Sequence, residues 1–248
     1  MALATASGAC SSRDLVAVTE RSGTWCERNA SELTLYCRDF DDEREYDEDW
    51  SGSFAAVDQP AMLSTAAPPS LDASRYLTFP TATLGEDDRV YHQLHYVASS
   101  DSGISIRFDV RVADFDPRLG DLTLVSMYAG ADQNWKLGLD LIQGWIQLSE
   151  TRREVNDQPG TFEAHEAVRP SLDEWKTVEL VLAARGSQWE LSLALNGEKL
   201  IGPVTVSPLR APTVVKSTIG VDTLHGPARP MSISFDSIMF SRLPARSE

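Results

Sequence analysis

From residue 88 onward the chain alternates apolar and polar side chains. Ile104, Ile106, Phe108, Val110 and Val112 alternate with Ser105, Arg107, Asp109 and Arg111. Trp135, Leu137, Leu139 and Leu141 alternate with Lys136, Gly138 and Asp140. Trp189, Leu191, Leu193 and Leu195 alternate with Gln188, Glu190 and Ser192, and the run stops at Asn196-Gly197, a hairpin signal. Val178, Leu180 and Leu182 form a further face, as do Ile233 and Phe235; shorter candidate strands are 33–37, 90–97, 122–128, 145–149, 199–206 and 215–221. A period of two marks β-strands, and no amphipathic helix of three turns stands out. Ten or more such strands, each with one apolar and one wet face, predict antiparallel sheets. The fold class is therefore all-β: a two-sheet antiparallel β-sandwich, or jelly roll, over residues 31–244. No repeat at a propeller period is present. Residues 1–30 lack periodicity and read as a leader and tether, largely irregular. Asp39 to Asp49 holds eight carboxylates and reads as a solvated acidic loop, and Pro68-Pro69 breaks any element there.

Composition narrows the function without naming it. The chain has 248 residues, 42% hydrophobic and 24% charged, which is ordinary globular composition. No window approaches the ~18 apolar residues of a membrane-spanning helix. Acidic residues outnumber basic ones 37 to 22, for a net charge of −15, which argues against a nucleic-acid partner.

The three cysteines, Cys10, Cys26 and Cys37, all lie near the amino terminus. Cys26 and Cys37 enclose ten residues, and a disulfide between them is worth about 2–3 kcal/mol; buried free thiols are the alternative. Cys10 is then left over. The stretch Ala2 to Ser12 is small and apolar, then Cys10, then serines, and resembles the end of a bacterial lipoprotein signal. That resemblance implies a protein secreted, periplasmic or held at a bacterial surface, with Cys10 as the candidate lipid-anchor site. Asn29-Ala30-Ser31 fits the glycosylation sequon, a common chance match.

Four segments appear in a telling order: Tyr36 to Asp42, Ala67 to Leu71, Trp175 to Leu180, and Phe235 to Phe240. Together, with the strand–Asn-Gly–strand hairpin at 189–200, they resemble the concanavalin A-like lectin/glucanase superfamily, in the laminin-G-like form of bacterial surface lipoproteins. The resemblance implies a concanavalin A-like jelly roll. It also implies a structural calcium ion held by Asp236 with carbonyls near Phe40 and Leu71; oxygen ligands suit that ion. The bland alternative is that Asp236 hydrogen-bonds its neighbours.

Glucanases of this superfamily carry Glu-x-Asp-x-x-Glu on one strand, which places two carboxylates on one face for retaining hydrolysis. The motif is absent, and Asp140 and Glu190 each stand alone on the wet side of a strand. Similarity to jelly-roll alginate lyases rests on Gln93-Leu94-His95 and on Lys136-x-Gly138, but the Tyr of the downstream motif is missing beside Lys136, where Trp135 stands. His92 and His95, three apart, fall on opposite strand faces. No nucleophile elbow, phosphate loop or dinucleotide fingerprint occurs.

A non-catalytic reading needs a binding face. Sugars stack on aromatic rings and hydrogen-bond to planar polar groups. Trp135 and Trp189 are in phase with leucines and read as core; Trp145 and Trp175 are out of phase with theirs. Trp145, Gln147, Arg107 and Arg111 are the candidate platform. The resulting expectation is a secreted or surface-anchored, non-catalytic binding module for a glycan. Two other readings stand beside it: a structural or protein-interaction sandwich without a sugar site, whose partner is an extracellular protein, and a polysaccharide lyase-like enzyme.

Overall fold

A computed structural model describes residues 23–41, 50–55, 62–64, 75–81, 83–85, 89–115, 121–129, 135–142, 144–152, 161–166, 171–206, 213–225 and 229–245. Among the described residues one short helix, α1 (Trp25–Asn29), precedes fifteen strands. In chain order these are β1 (Thr34–Arg38), β2 (Trp50–Ala55), β3 (Met62–Ser64), β4 (Tyr76–Thr81), β5 (Arg89–Ser100), β6 (Gly103–Ala113), β7 (Asp121–Ala129), β8 (Trp135–Ile142), β9 (Trp145–Arg152), β10 (Thr161–Glu166), β11 (Lys176–Arg185), β12 (Gln188–Leu195), β13 (Glu198–Val206), β14 (Thr213–His225) and β15 (Met231–Arg242).

The strands form two antiparallel sheets. The eight-stranded sheet runs β13-β12-β11-β6-β15-β4-β3, with β1 pairing β15 beside β4. The seven-stranded sheet runs β10-β9-β8-β7-β14-β5-β2. The alternating residues of the sequence face each other between the sheets. Ile104, Ile106, Phe108, Val110, Val178, Leu180, Leu191 and Phe235 come from one sheet; Leu94, Leu122, Val125, Leu137, Leu139, Leu148 and Ile219 come from the other, and all are buried in one apolar cluster. Trp135 and Trp189 are core, as their phase predicts. Trp135 carries a polar handle into that core, and its Nε1 donates to Glu150 Oε1 at 2.7 Å.

Asn196 and Gly197 have φ of 52° and 79° and close the β12–β13 hairpin, and Asn196 Oδ1 accepts from the Thr177 amide. The tether expected through residue 30 instead ends in α1, too short to leave a helical period in the sequence. Thr24 and Glu27 cap it reciprocally, and the Cys26–Cys37 disulfide, Cα–Cα 5.8 Å, fastens it to β1. Trp175, out of phase with its strand, precedes β11 and is buried edge-on against Tyr76. Among the described residues no helix is long and apolar enough to cross a membrane. Cys10 lies outside the described residues.

Candidate functional site

The outer face of the seven-stranded sheet is polar, and its register arranges the side chains in rungs across the strands. One rung reads His95, Thr218, Ser126, Gly138, Ser149, Ala164, from β5 through β14, β7, β8 and β9 to β10. The neighbouring rung on one side reads Val97, Lys216, Tyr128, Lys136, Thr151. On the other side Thr123, Asp140 and Gln147 align. Between Thr218 and Ala164 the central rung holds small residues alone, flanked by taller ones. The result is a trough across the strands. Five strands at ~4.8 Å spacing give it a length of about 19 Å. Ser126, Thr218 and Ser149 in this rung are 0%, 2% and 8% exposed, so the rung is shielded from solvent and a ligand would meet the flanking rows rather than these hydroxyls.

Asp140 organises the trough. Its Oδ1 accepts from Thr123 Oγ1 at 2.5 Å and its Oδ2 from Ser149 Oγ at 2.6 Å. Gly138 makes room for this: a Cβ there would lie 2.5 Å from Ser149 Oγ and 2.9 Å from Asp140 Oδ2. On the opposite wall Lys136 Nζ lies 5.7 Å from the Tyr128 ring centroid. Trp145 opens β9 on the same face, 37% exposed, one rung beyond Gln147. Gln93 and His95, on β5, share this face.

The four platform residues expected from the sequence are not together. Trp145 and Gln147 lie on the outer face of the seven-stranded sheet; Arg107 and Arg111 lie on β6, on the outer face of the other sheet. The Arg107 guanidinium sits over the Trp25 ring of α1, 5.5 Å from its centroid. Arg111 Nε donates to the Asp173 carbonyl at 2.7 Å, on the wall of an open cleft of about 860 Å³ shared with Asp114, Phe115 and Arg229. Asp140 and Glu190 are likewise on different sheets, and Glu190 pairs with Arg185 at 3.0 Å. They cannot form the close carboxylate pair of a retaining glycosidase. The residues missed in the sequence, Tyr128, Lys216 and Thr218, lie on β7 and β14, whose bulges at 123–125 and 219–224 break the period of two.

Asp236 is fully buried, and its Oδ1 accepts from the Ser237 amide at 2.8 Å in a β15 bulge where Ser237 takes φ 52°. Asp109, 4% exposed, is its register partner on β6. Asp109 Oδ1 accepts from Thr177 Oγ1 at 2.6 Å. Among the described residues no three His, Cys, Asp or Glu side chains converge in a metal-holding group, and Leu71 lies outside the described residues.

No family model matches the sequence, and no curated protein matches it. Solved structures do match in shape. The legume lectin-like domain from Entamoeba histolytica superposes with a TM-score of 0.57 at 8% identity, covering 87% of this chain and 100% of that one. The Bacteroides ovatus mixed-linkage-glucan GH16 enzyme, in complex with a G4G4G3G product, gives 0.56 at 10% identity, covering 83% and 99%. The botulinum neurotoxin serotype G binding domain gives 0.47 at 12% identity, and the chain spans about half (48%) of it. Two antiparallel sheets in this order, and the superpositions on the lectin-like domain and the GH16 enzyme, establish that the chain has the concanavalin A-like jelly-roll fold.

Proposed function

We propose that this protein is a non-catalytic glycan-binding module, and that a linear glycan lies in the trough on the outer face of the seven-stranded sheet. The observation that carries this reading is the trough itself: a floor of Thr218, Ser126, Gly138 and Ser149 between one wall bearing Tyr128 and another bearing Asp140 and Gln147. An amide, a carboxylate and an aromatic side chain on the flanking rows are groups that a sugar chain uses for hydrogen bonding and stacking. A length of about 19 Å across five strands suits several consecutive sugar units. The structural likenesses to a lectin-like domain and a glucan-bound GH16 enzyme support it as fold analogy. The Cys26–Cys37 disulfide supports an oxidising compartment, secreted or at a surface; anchoring through Cys10 is part of the same proposal. So is a calcium ion at Asp236, as a brace of the fold.

A glycan array at neutral pH, with calcium and then with chelator, tests this. Binding in calcium supports the reading. A blank array from folded protein overturns it and leaves a structural or protein-binding role. A melting temperature unmoved by chelator overturns the calcium proposal alone.

One observation favours a second reading, a lyase: Gln93, His95, Tyr128 and Lys136 share the face. His95 is the candidate base near neutral pH. Incubation with an acidic polysaccharide and measurement of chain length over time decides it; chains that stay intact remove the lyase.

A further inference from the structure

The eight-stranded sheet carries a second concavity, apart from the trough. It lies at one end of that sheet, where β6 stops between its two partners, β11 and β15. Asp114 takes φ 64° just after β6, a left-handed conformation that aspartate tolerates, and Phe115 follows, half-buried against the core. Asp173 stands just before β11, and Arg229 just before β15. With Arg111 on β6, these residues meet around one open cleft of about 860 Å³, a size that suits a small molecule.

Two hydrogen bonds fix one wall. The Val112 amide donates to the Leu172 carbonyl at 2.8 Å, and Leu172 is buried in the core. Arg111 Nε donates to the next carbonyl, that of Asp173, at 2.7 Å. That bond orients the guanidinium and leaves its terminal nitrogens, Nη1 and Nη2, as a fork of parallel donors, which a carboxylate meets with two bonds. Asp114, Asp173 and Arg229 are exposed. Among the described residues no ion pair joins either arginine to either aspartate. Charges of both signs therefore line one cleft without closing on each other, beside an aromatic ring. A simple anion here meets two carboxylates, and a simple cation two guanidiniums. A molecule carrying one charge of each sign finds a complement for both.

We infer that this cleft binds a small zwitterion of the amino-acid kind, a free amino acid or a short peptide. Its carboxylate meets the Arg111 fork, with Arg229 adding to the positive field. Its ammonium meets Asp114 and Asp173, and an apolar side chain packs on Phe115. The inference does not rest on the glycan reading, because the cleft and the trough are on different sheets.

Calorimetric titration of the full chain tests it with L-phenylalanine and the peptide Ala-Phe-Ala at millimolar concentration. Each is used free, amino-acetylated and carboxyl-amidated. The expected result is binding of at least one free form, with either block weakening it roughly tenfold, the worth of one charge-assisted hydrogen bond. Whichever free form binds more tightly identifies amino acid or peptide. Arg111→Gln should weaken the free form and erase its advantage over the amidated one. Asp114→Asn/Asp173→Asn, in which asparagine keeps the left-handed conformation, should erase its advantage over the acetylated one. Arg185→Gln removes the same charge from an ion pair outside the cleft and should keep wild-type affinity. Failure of both free forms to bind, blocked forms that bind as tightly as free ones, or wild-type discrimination in a folded Arg111→Gln variant overturns the inference and leaves the glycan reading standing. The comparison of free with blocked ligands is read on the wild type and decides the matter even if a variant misfolds.

Discussion

Ser149 Oγ donates to Asp140 Oδ2 at 2.6 Å between β9 and β8, and it does so over a residue with no side chain. Gly138 is the register partner of Ser149, and any Cβ at 138 would collide with both partners of that bond. The strand therefore carries glycine for space, since a glycine inside a strand otherwise weakens it.

Gly138→Ala should cost about 1–3 kcal/mol of stability, as overpacking does. The clash is chiefly with Ser149 Oγ, so Gly138→Ala/Ser149→Ala should cost less than the two single changes added together. Chemical denaturation of the four proteins checks this; strictly additive costs would show that the contact is not the reason for the glycine.

The short helix α1 is held to β1 by Cys26–Cys37 and rests its Trp25 ring on Arg107. Replacing both cysteines by serine should lower stability by about 2–3 kcal/mol, the entropy of a ten-residue loop. Trp25 should then become more exposed, read as quenching of its fluorescence by iodide. Unchanged stability and quenching would mean that α1 is held by packing alone.

Strand phase in the sequence revealed most of the fold. The alternation at 104–112, 135–141 and 189–195 identified strands and their inward residues, and Asn196-Gly197 marked its hairpin, because a half-buried strand writes its burial directly into the chain. The site was half legible. Phase placed Trp145, Gln147, Arg107 and Arg111 outward from their strands, and that is where they point. Phase does not say which sheet a strand joins, since the outer residues of either sheet look alike. Strand order is set by pairing between distant segments, so the two arginines went unseen to the far side. Tyr128 and Lys216 were hidden for a different reason: the bulges at 123–125 and 219–224 interrupt the period in β7 and β14, so neither strand shows one unbroken alternation.

Arg107→Ala and Arg111→Ala should leave glycan affinity within twofold of wild type, because both lie on the sheet opposite the trough. Arg107→Ala should instead cost about 0.5–1 kcal/mol of stability through its lost contact with the Trp25 ring. Binding assays paired with thermal melts separate the two effects. A large affinity loss in either variant with an unchanged melt would move the binding surface to the eight-stranded sheet.

Trp145, at the open end of β9, is partly exposed and has no part in the apolar core. Trp145→Ala should weaken glycan binding roughly tenfold, about 1.4 kcal/mol, with the melting temperature nearly unchanged. The most direct measurement is calorimetric titration of one array-selected glycan into wild type, Trp145→Ala and Arg107→Ala side by side. The trough as the binding site predicts tight binding by wild type and Arg107→Ala and a tenfold loss in Trp145→Ala. Full affinity in Trp145→Ala with loss in Arg107→Ala would contradict it.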